Sequence, residues 1–486
     1  MTSHPIITLF KRLTQFKRLP AARPLSEWFQ SRSALPRMAL QSPVALKYLD
    51  LLGPLAWDQL PARCAPPHTD QAAISYAAFA AACLIKIDQQ LVSMSALRTY
   101  LVEHPELLWL VGFPTVPDRS TPWGFDPEMS LPTARHLTRL LRTTPNAVFQ
   151  LLLDSSVHLL QHKLAQHGIT LGQIIALDTK HILAWVVENN PKAYVSEGRR
   201  LDKTQQPKGD SDCKLGCKRK RNRPPVQEQG QPETPTKNPK RPTNFSPNDE
   251  YYWGYASGIV ATKIPDYGEV VLAELTQTFD RDDLTYFFPL LSQTERRLGH
   301  KPPYGACDAA FDAFYVYEYF HQAGGFAAVP FVKRGGYAQR PFDPDGLPLC
   351  QAGLPMPLKS TYRCKSTLVQ HERGRYACPL LYPTPTAQSC PVDHKQWPKG
   401  GCLTTMPTSI GARLRYQLDR DSDAYKTLYN YRSVTERINS QAKALGIERP
   451  KLRNHKAIAN LNTLIYVLIN LRAFHRICHR TPATAS

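Results

Sequence analysis

The sequence lacks a long uninterrupted apolar run. Its longest, Tyr76 to Ile85, covers ten residues, half of the roughly 20 that a membrane-spanning helix needs, so no membrane helix is expected. It also lacks any acidic residue before Glu27. The one early apolar patch, Ile6 to Phe10, is broken at once by Lys11 and Arg12, so a secretory signal is not expected. A transit peptide and a basic arm that lies on a polyanion both fit this N-terminus, and the arm is the expectation. None of the 11 cysteines forms a Cys-x2-Cys pair, which removes the usual zinc-knuckle spacing and leaves reduced thiols or dispersed metal ligands in a cytoplasmic protein. Acidic charge is scarce as well. Against 60 Lys+Arg stand 40 Asp+Glu, a formal net charge of +20, which favours an anionic partner, most commonly nucleic acid. What is present excludes a small stapled scaffold and a disordered chain: 486 residues, 42% of them hydrophobic, with 22 Tyr, 18 Phe and 7 Trp, suffice for sizeable cores. At about 100–200 residues per domain, that length suggests about three domains.

Residues 1–170 read as a helical region with a basic arm. Apolar residues recur at spacings of three and four from Asp70 to Val111 and again from Leu131. In the second run Arg135, Arg139 and Arg142 share one helix face, which either tracks a phosphate backbone or is simply solvated. From 171 to 334 the pattern turns to short apolar runs: strands at Ile174–Leu177, ending at Asp178, at Tyr255–Lys263 and at Gly268–Leu275. A helix over Asp282–Leu298 follows, then a strand leading to Asp308, a helix over Asp312–Ala323 and a strand over Phe326–Lys333. Residues 196–250 interrupt this region with eight prolines, 13 Lys+Arg and eight Asp+Glu, including KRKRNR at Lys218–Arg223. They read as an extended basic excursion without a core. Residues 335–413 form a Cys- and Pro-rich insertion. Residues 414–478 return to helix, one from Tyr425 to about Gly446 and one over His455–His475, before a short tail, 479–486. Three strands, a helix, a strand, a helix, a strand and a helix make an α/β order, that of a ribonuclease H-like mixed sheet with flanking helices.

Two acids, Asp178 and Asp308, follow apolar strands, where polar residues face the crevice of an open sheet. Helix capping explains either one taken singly. A third element is YNYRSVTERINSQAK, in which Tyr429, Arg432, Glu436 and Lys443 are spaced by three, four and seven. At about 100° per residue they form one stripe on one helix face. An acid among two cations and a phenol suits a site that holds a metal and a phosphate; intrahelical pairing of Arg432 with Glu436 is the alternative.

These residues together resemble a DDE-type insertion-sequence transposase. Tyr429, Arg432, Glu436 and Lys443 match its signature Y-x2-R-x3-E-x6-K, Asp178 in ALDTKHILAWV matches its first aspartate, and Asp308 in CDAAFDAFYVY its second. The likeness covers about residues 170–475, and the helical region before it resembles the leading, DNA-binding domain of such enzymes. Asp312 rivals Asp308, but it fits a helix N-terminus and Asp308 is preferred. The resemblance implies catalysis by Asp178, Asp308 and Glu436, holding two Mg2+ (or Mn2+) ions that activate water and stabilise the leaving oxygen. It further implies DNA-phosphate binding by Tyr429, Arg432 and Lys443, double-stranded DNA partners (terminal inverted repeats and a target), a homodimer on two ends, and a nucleoid-associated cytoplasmic location in a prokaryote. A catalytically inactive DNA-binding descendant and a structure-selective nuclease of the same fold are the other readings. Cys350, Cys378, Cys390 and Cys402 resemble a cysteine pattern found in some such enzymes and would make a structural Zn2+ site; buried free thiols are the alternative. Cys213 and Cys217 supply only two ligands and are assigned none. The segment from Gly335 falls where several transposase groups carry a β-rich insertion.

Overall fold

The computed structural model describes residues 18–21, 23–63, 73–190, 193, 200–218, 250–332, 340–365, 368–392 and 395–479. The N-terminal arm, the cationic run after Lys218 and the tail after His479 lie outside the described residues.

Short helices occupy the N-terminal region, and hydroxyl caps start several of them: Ser42, Ser75 and Ser93 each accept from the N–H three residues on, satisfying a donor the helix leaves open. Helix α1 (Tyr76–Asp88) is alanine-rich and almost wholly buried. Helix α2 (Ala134–Thr143) buries Leu137, Leu140 and Leu141 and turns Arg135, Arg139 and Arg142 outward. Helix α3 (Asn146–Ala165) then leads into the sheet.

The main sheet is built from β1 (Ile174–Leu183), β2 (Lys214–Lys218), β3 (Glu250–Ile264), β4 (Gly268–Thr278), β5 (Tyr304–Cys307) and β6 (Phe326–Ala328). Strand β1 runs antiparallel to β3 and parallel to β5, and β5 runs parallel to β6. On its other side β3 carries β4 along most of its length and β2 at its start. The order is therefore β4 (with β2), β3, β1, β5, β6, a mixed sheet. Helix α4 (Leu284–Leu298) links β4 to β5, and α5 (Phe314–Gln322) links β5 to β6. Residues 335–413 contain a separate antiparallel sheet, β7 (Leu358–Cys364), β8 (His371–Ala377) and β9 (Leu403–Pro407). Helices α6 (Ile410–Gln417), α7 (Asp423–Asn430), α8 (Ser433–Ala444) and α9 (His455–His479) complete the chain.

Helix α9 is long and apolar enough to cross a membrane by length and composition, with mean hydropathy 1.3 in its most apolar window, yet 83% of that window is buried inside the fold. It is the core helix, packed on α3 and β4. One apolar cluster runs from Leu25 through Leu153 to Leu471, where each fully buried Leu or Ile side chain contributes roughly 1.5–3 kcal/mol. Two buried asparagines of α9 bond to neighbouring backbone: Asn470 donates to Val271 O and accepts from Val271 N, both at 2.8 Å, and Asn460 donates to Leu141 O and Thr144 O.

Three sequence expectations change here. Strand β1 does not end at Asp178 but continues to Leu183, because its second half still pairs with β3. The basic excursion is not structureless throughout: Lys214–Lys218 adds a strand to β3, and Cys213, Asp210 and Leu215 are buried. The helix expected from Tyr425 to Gly446 is two helices, α7 and α8, separated by a tightened turn in which Arg432 N bonds Tyr429 O and Thr435 N bonds Arg432 O. Tyr431 fixes that turn, its hydroxyl accepting from Lys263 N at 2.6 Å.

Candidate active site

The parallel pairing of β1 with β5 stops at Leu177 opposite Cys307. Asp178 and Asp308 are the next residues on the two strands, and neighbouring strands lie about 4.8 Å apart, so the topology brings both acids to one place. Asp308 also caps the short turn after β5, accepting from Ala310 N at 2.8 Å. For Asp308, then, capping and a site role coexist. Asp178, inside a strand, caps no helix. It accepts from its neighbour Thr179 N at 2.9 Å and from Asn439 Nδ2, on α8, at 3.0 Å.

Burial, and then the nearby Asp308 charge, push the Asp178 carboxyl up to about 7. Burial also raises that of Asp308. Neither acid has an ion-pair partner within bonding range among the described residues. Arg432, at the start of α8, is close enough to favour ionisation of both, but its guanidinium bonds Glu436 instead. Two half-buried acids with no close cation are costly to ionise together, and either a bound proton or a divalent cation offsets that cost. A third acid stands beside them. Asp283 opens α4 without capping it; it accepts instead from Thr179 Oγ1 at 2.8 Å, and burial pushes it up to about 6. Gly258 makes this seat possible. It lies across from Thr179, and a Cβ there would stand 2.3 Å from Tyr286 Cδ1 of α4.

The signature residues do not form one uninterrupted helical stripe. Tyr429 lies on α7, stacked on Tyr425 at 5.8 Å, whereas Arg432, Glu436 and Lys443 lie at or on α8. The intrahelical Arg432–Glu436 pair is present, and the Glu436 side chain is 55% exposed. Lys443 pairs with Glu448 at 3.1 Å. Among the described residues no three His, Cys, Asp or Glu stand close enough together to hold a metal ion, so Glu436 is not gathered with the two aspartates in this conformation. It does line the adjoining cleft of about 690 Å³, with Thr179, Lys180, His181, Asn439 and Lys443. Burial and the neighbouring Lys218 and Lys180 lower His181 to about 4, so it is neutral at pH 7.

Asp312, read as a helix-terminus acid, does not cap α5, whose N-cap is Ala313. It is held by Arg415, with Nε to Oδ1 at 2.8 Å, by the Tyr317 hydroxyl at 2.7 Å and by Val332 N at 2.7 Å. Sequence reasoning missed Asn439, Thr179 and Asp283. Asn439 carried a usable signal, since it stands three residues after Glu436 and so on the same helix face. Its Oδ1 is buried without a hydrogen-bond partner, an orphan acceptor beside Asp178 that fits a cation.

In the insertion, Cys402 has Cys378 and Cys350 as electrostatic neighbours and shares a hydrogen bond with Cys378; burial, then these thiols, push it up to about 12. Cys350, Cys378 and Cys402 are thus neighbours, while no described group of three His, Cys, Asp or Glu reaches metal-holding spacing. Cys213 is buried and Cys217 is exposed. Compared with known protein families the chain matches none, and no curated protein aligns with it significantly.

Proposed function

We propose that this chain is a DNA transposase of the DDE type, which binds the ends of an insertion sequence, cuts phosphodiester bonds and joins the freed end to a target. The observation that carries the reading is the pair of half-buried carboxylates, Asp178 and Asp308, without an ion-pair partner among the described residues, at the point where two parallel strands part, beside Arg432 at the start of α8. The strand order β4, β3, β1, β5, β6, with β3 reversed against β1, supports a ribonuclease H-like arrangement. Asp178 and Asp308 would hold Mg2+ or Mn2+, and the orphan Asn439 Oδ1 and the hard oxygen donors fit such an ion. When bound, the ions supply Lewis-acid polarisation of the phosphate and a lowered pKa for water. The chain's own residues do the rest. Asn439 orients the Asp178 carboxylate, and Asp283 fixes Thr179 beside it. Arg432 neutralises the acids from a distance and releases Glu436 when a phosphate takes the guanidinium, for which its planar fork is suited. Lys443 and Tyr429 bind the flanking phosphate oxygens.

The test is an end-labelled duplex carrying the sequences that flank the reading frame, incubated with the full chain and Mg2+. Cleavage leaving a 3′-hydroxyl, followed by joining to a second duplex, is the expected result. Glu436→Gln should abolish both while leaving end binding intact, and retained cleavage overturns the assignment of Glu436. Cleavage without joining points to a nuclease. A second reading, a DNA-binding descendant without chemistry, is favoured by one observation: Glu436 is exposed and paired with Arg432. It predicts binding with no Mg2+-dependent product.

A further inference from the structure

We propose that a pocket adjoining the cleft takes an unpaired nucleobase, with Trp185 as its stacking platform. This rests on the DNA reading above and extends it to a strand path. Strand β1 ends at Leu183, and Trp185 follows in the connection to a short turn, Val187–Asn189. Trp185 is 48% exposed and Val187 59% exposed, so the two place neighbouring apolar surface in water beside a cleft. They line a pocket of about 380 Å³ with Asn189, Arg449 and Arg453. Lys451 Nζ lies 5.6 Å from the indole centroid.

The connection is held rigidly. Asn189 Nδ2 donates to Ala184 O at 2.9 Å and to Trp253 O at 2.7 Å, and Asn189 Oδ1 accepts from Trp253 N at 2.9 Å. The cations are available. Glu448, the neighbouring acid, is taken by Lys180 and Lys443, and among the described residues no ion pair joins Arg449, Lys451 or Arg453. An exposed indole framed by unpaired cations is the combination by which proteins hold single-stranded nucleic acid: the ring stacks a base and the cations follow its phosphates. A fully stacked duplex offers no free base face, so the ligand is an unpaired base.

The pocket is continuous with the cleft, since Leu183, Asn189 and Arg449 line both. Seven residues separate Asp178 from Trp185, roughly 20 Å at about 3.3 Å per strand residue. At about 3.4 Å per nucleotide of a stacked strand, a strand leaving the acids reaches Trp185 after at most about six nucleotides, fewer if it is extended.

The test measures binding of the full chain, without divalent cation and at fixed salt, to labelled duplexes with single-stranded tails of increasing length, by fluorescence anisotropy. Wild type should bind more tightly once the tail passes about six nucleotides. Trp185→Ala should lose about tenfold in affinity for the long-tailed duplex and nothing for the blunt one, and Trp185→Phe should keep most of the gain. Thermal unfolding confirms that the variants fold. The pocket assignment is overturned if Trp185→Ala matches wild type on long tails, if it loses equally on blunt duplex, or if it shifts sedimentation while DNA affinity stays, which marks a subunit contact. If wild type binds neither duplex, the DNA reading itself falls; a wild type that binds both, with no Trp185 dependence, removes the pocket alone.

Discussion

Asp308 and Asp312 stand four residues apart in one loop, and the fold treats them in opposite ways. The Asp312 side chain is 1% exposed and Arg415 completes its charge, with the Tyr317 hydroxyl and Val332 N–H filling the remaining acceptor positions. Asp308 and its strand neighbour Asp178 are half-buried, but they accept only backbone N–H groups and one amide, and burial of their carboxyls raises their pKa values. A buried acid that is paired ties parts of a fold together. The half-buried pair, Asp178 and Asp308, has no such partner among the described residues, and it is the pair proposed above to hold a cation.

Substitutions should sharpen this contrast, beginning with the largest effect. Asp312→Ala leaves Arg415 partly buried and unpaired, and should cost about 3–5 kcal/mol in denaturant unfolding; a loss near zero would mean that the knot is not structural. Asp178→Asn should act with the opposite sign. Because the folded-state pKa is raised to about 7, the native state holds a proton that the unfolded chain releases near pH 4. Stability associated with Asp178 is therefore present at low pH and lost as pH rises through about 7. The variant escapes that loss, so without divalent cations it should be more stable than wild type at pH 8, by on the order of 2 kcal/mol, and nearly equal to it at pH 4. Thermal unfolding across this range checks it, and destabilisation at pH 8 would contradict it. Glu436→Gln should have the smallest effect on stability, about 0.3–0.5 kcal/mol, as expected of an exposed pair one helix turn apart, even though it should remove cleavage.

What could be read from the sequence follows from how local each feature is. The apolar strands and the position of Asp308 were legible because runs such as IIAL and YGAC carry their own signal. The continuation of β1 through DTKHIL was not, because those polar residues are held by β3 more than 70 residues later. Strand β2 was hidden in a basic, proline-rich segment where Leu215 is nearly alone in supplying apolar weight. The break between α7 and α8 depends on a bond from Tyr431 to a backbone 168 residues away. Asp283 lies in the run DRDD, which reads as a helix cap, and only packing of α4 against Gly258 turns it toward Thr179. Asp312 was misjudged for the same reason, its partner Arg415 being 103 residues on.

On the proposed function, Asp178 and Asp308 would hold a divalent cation. Calorimetric titration of the full chain with Mg2+ at pH 6.5, repeated in buffers of different ionisation enthalpy, tests it most directly. The account predicts saturable binding coupled to proton release, because the Asp178 carboxyl titrates near 7, with both binding and release lost in Asp178→Asn and Asp308→Asn. Absence of binding, or binding that survives both substitutions, would contradict it.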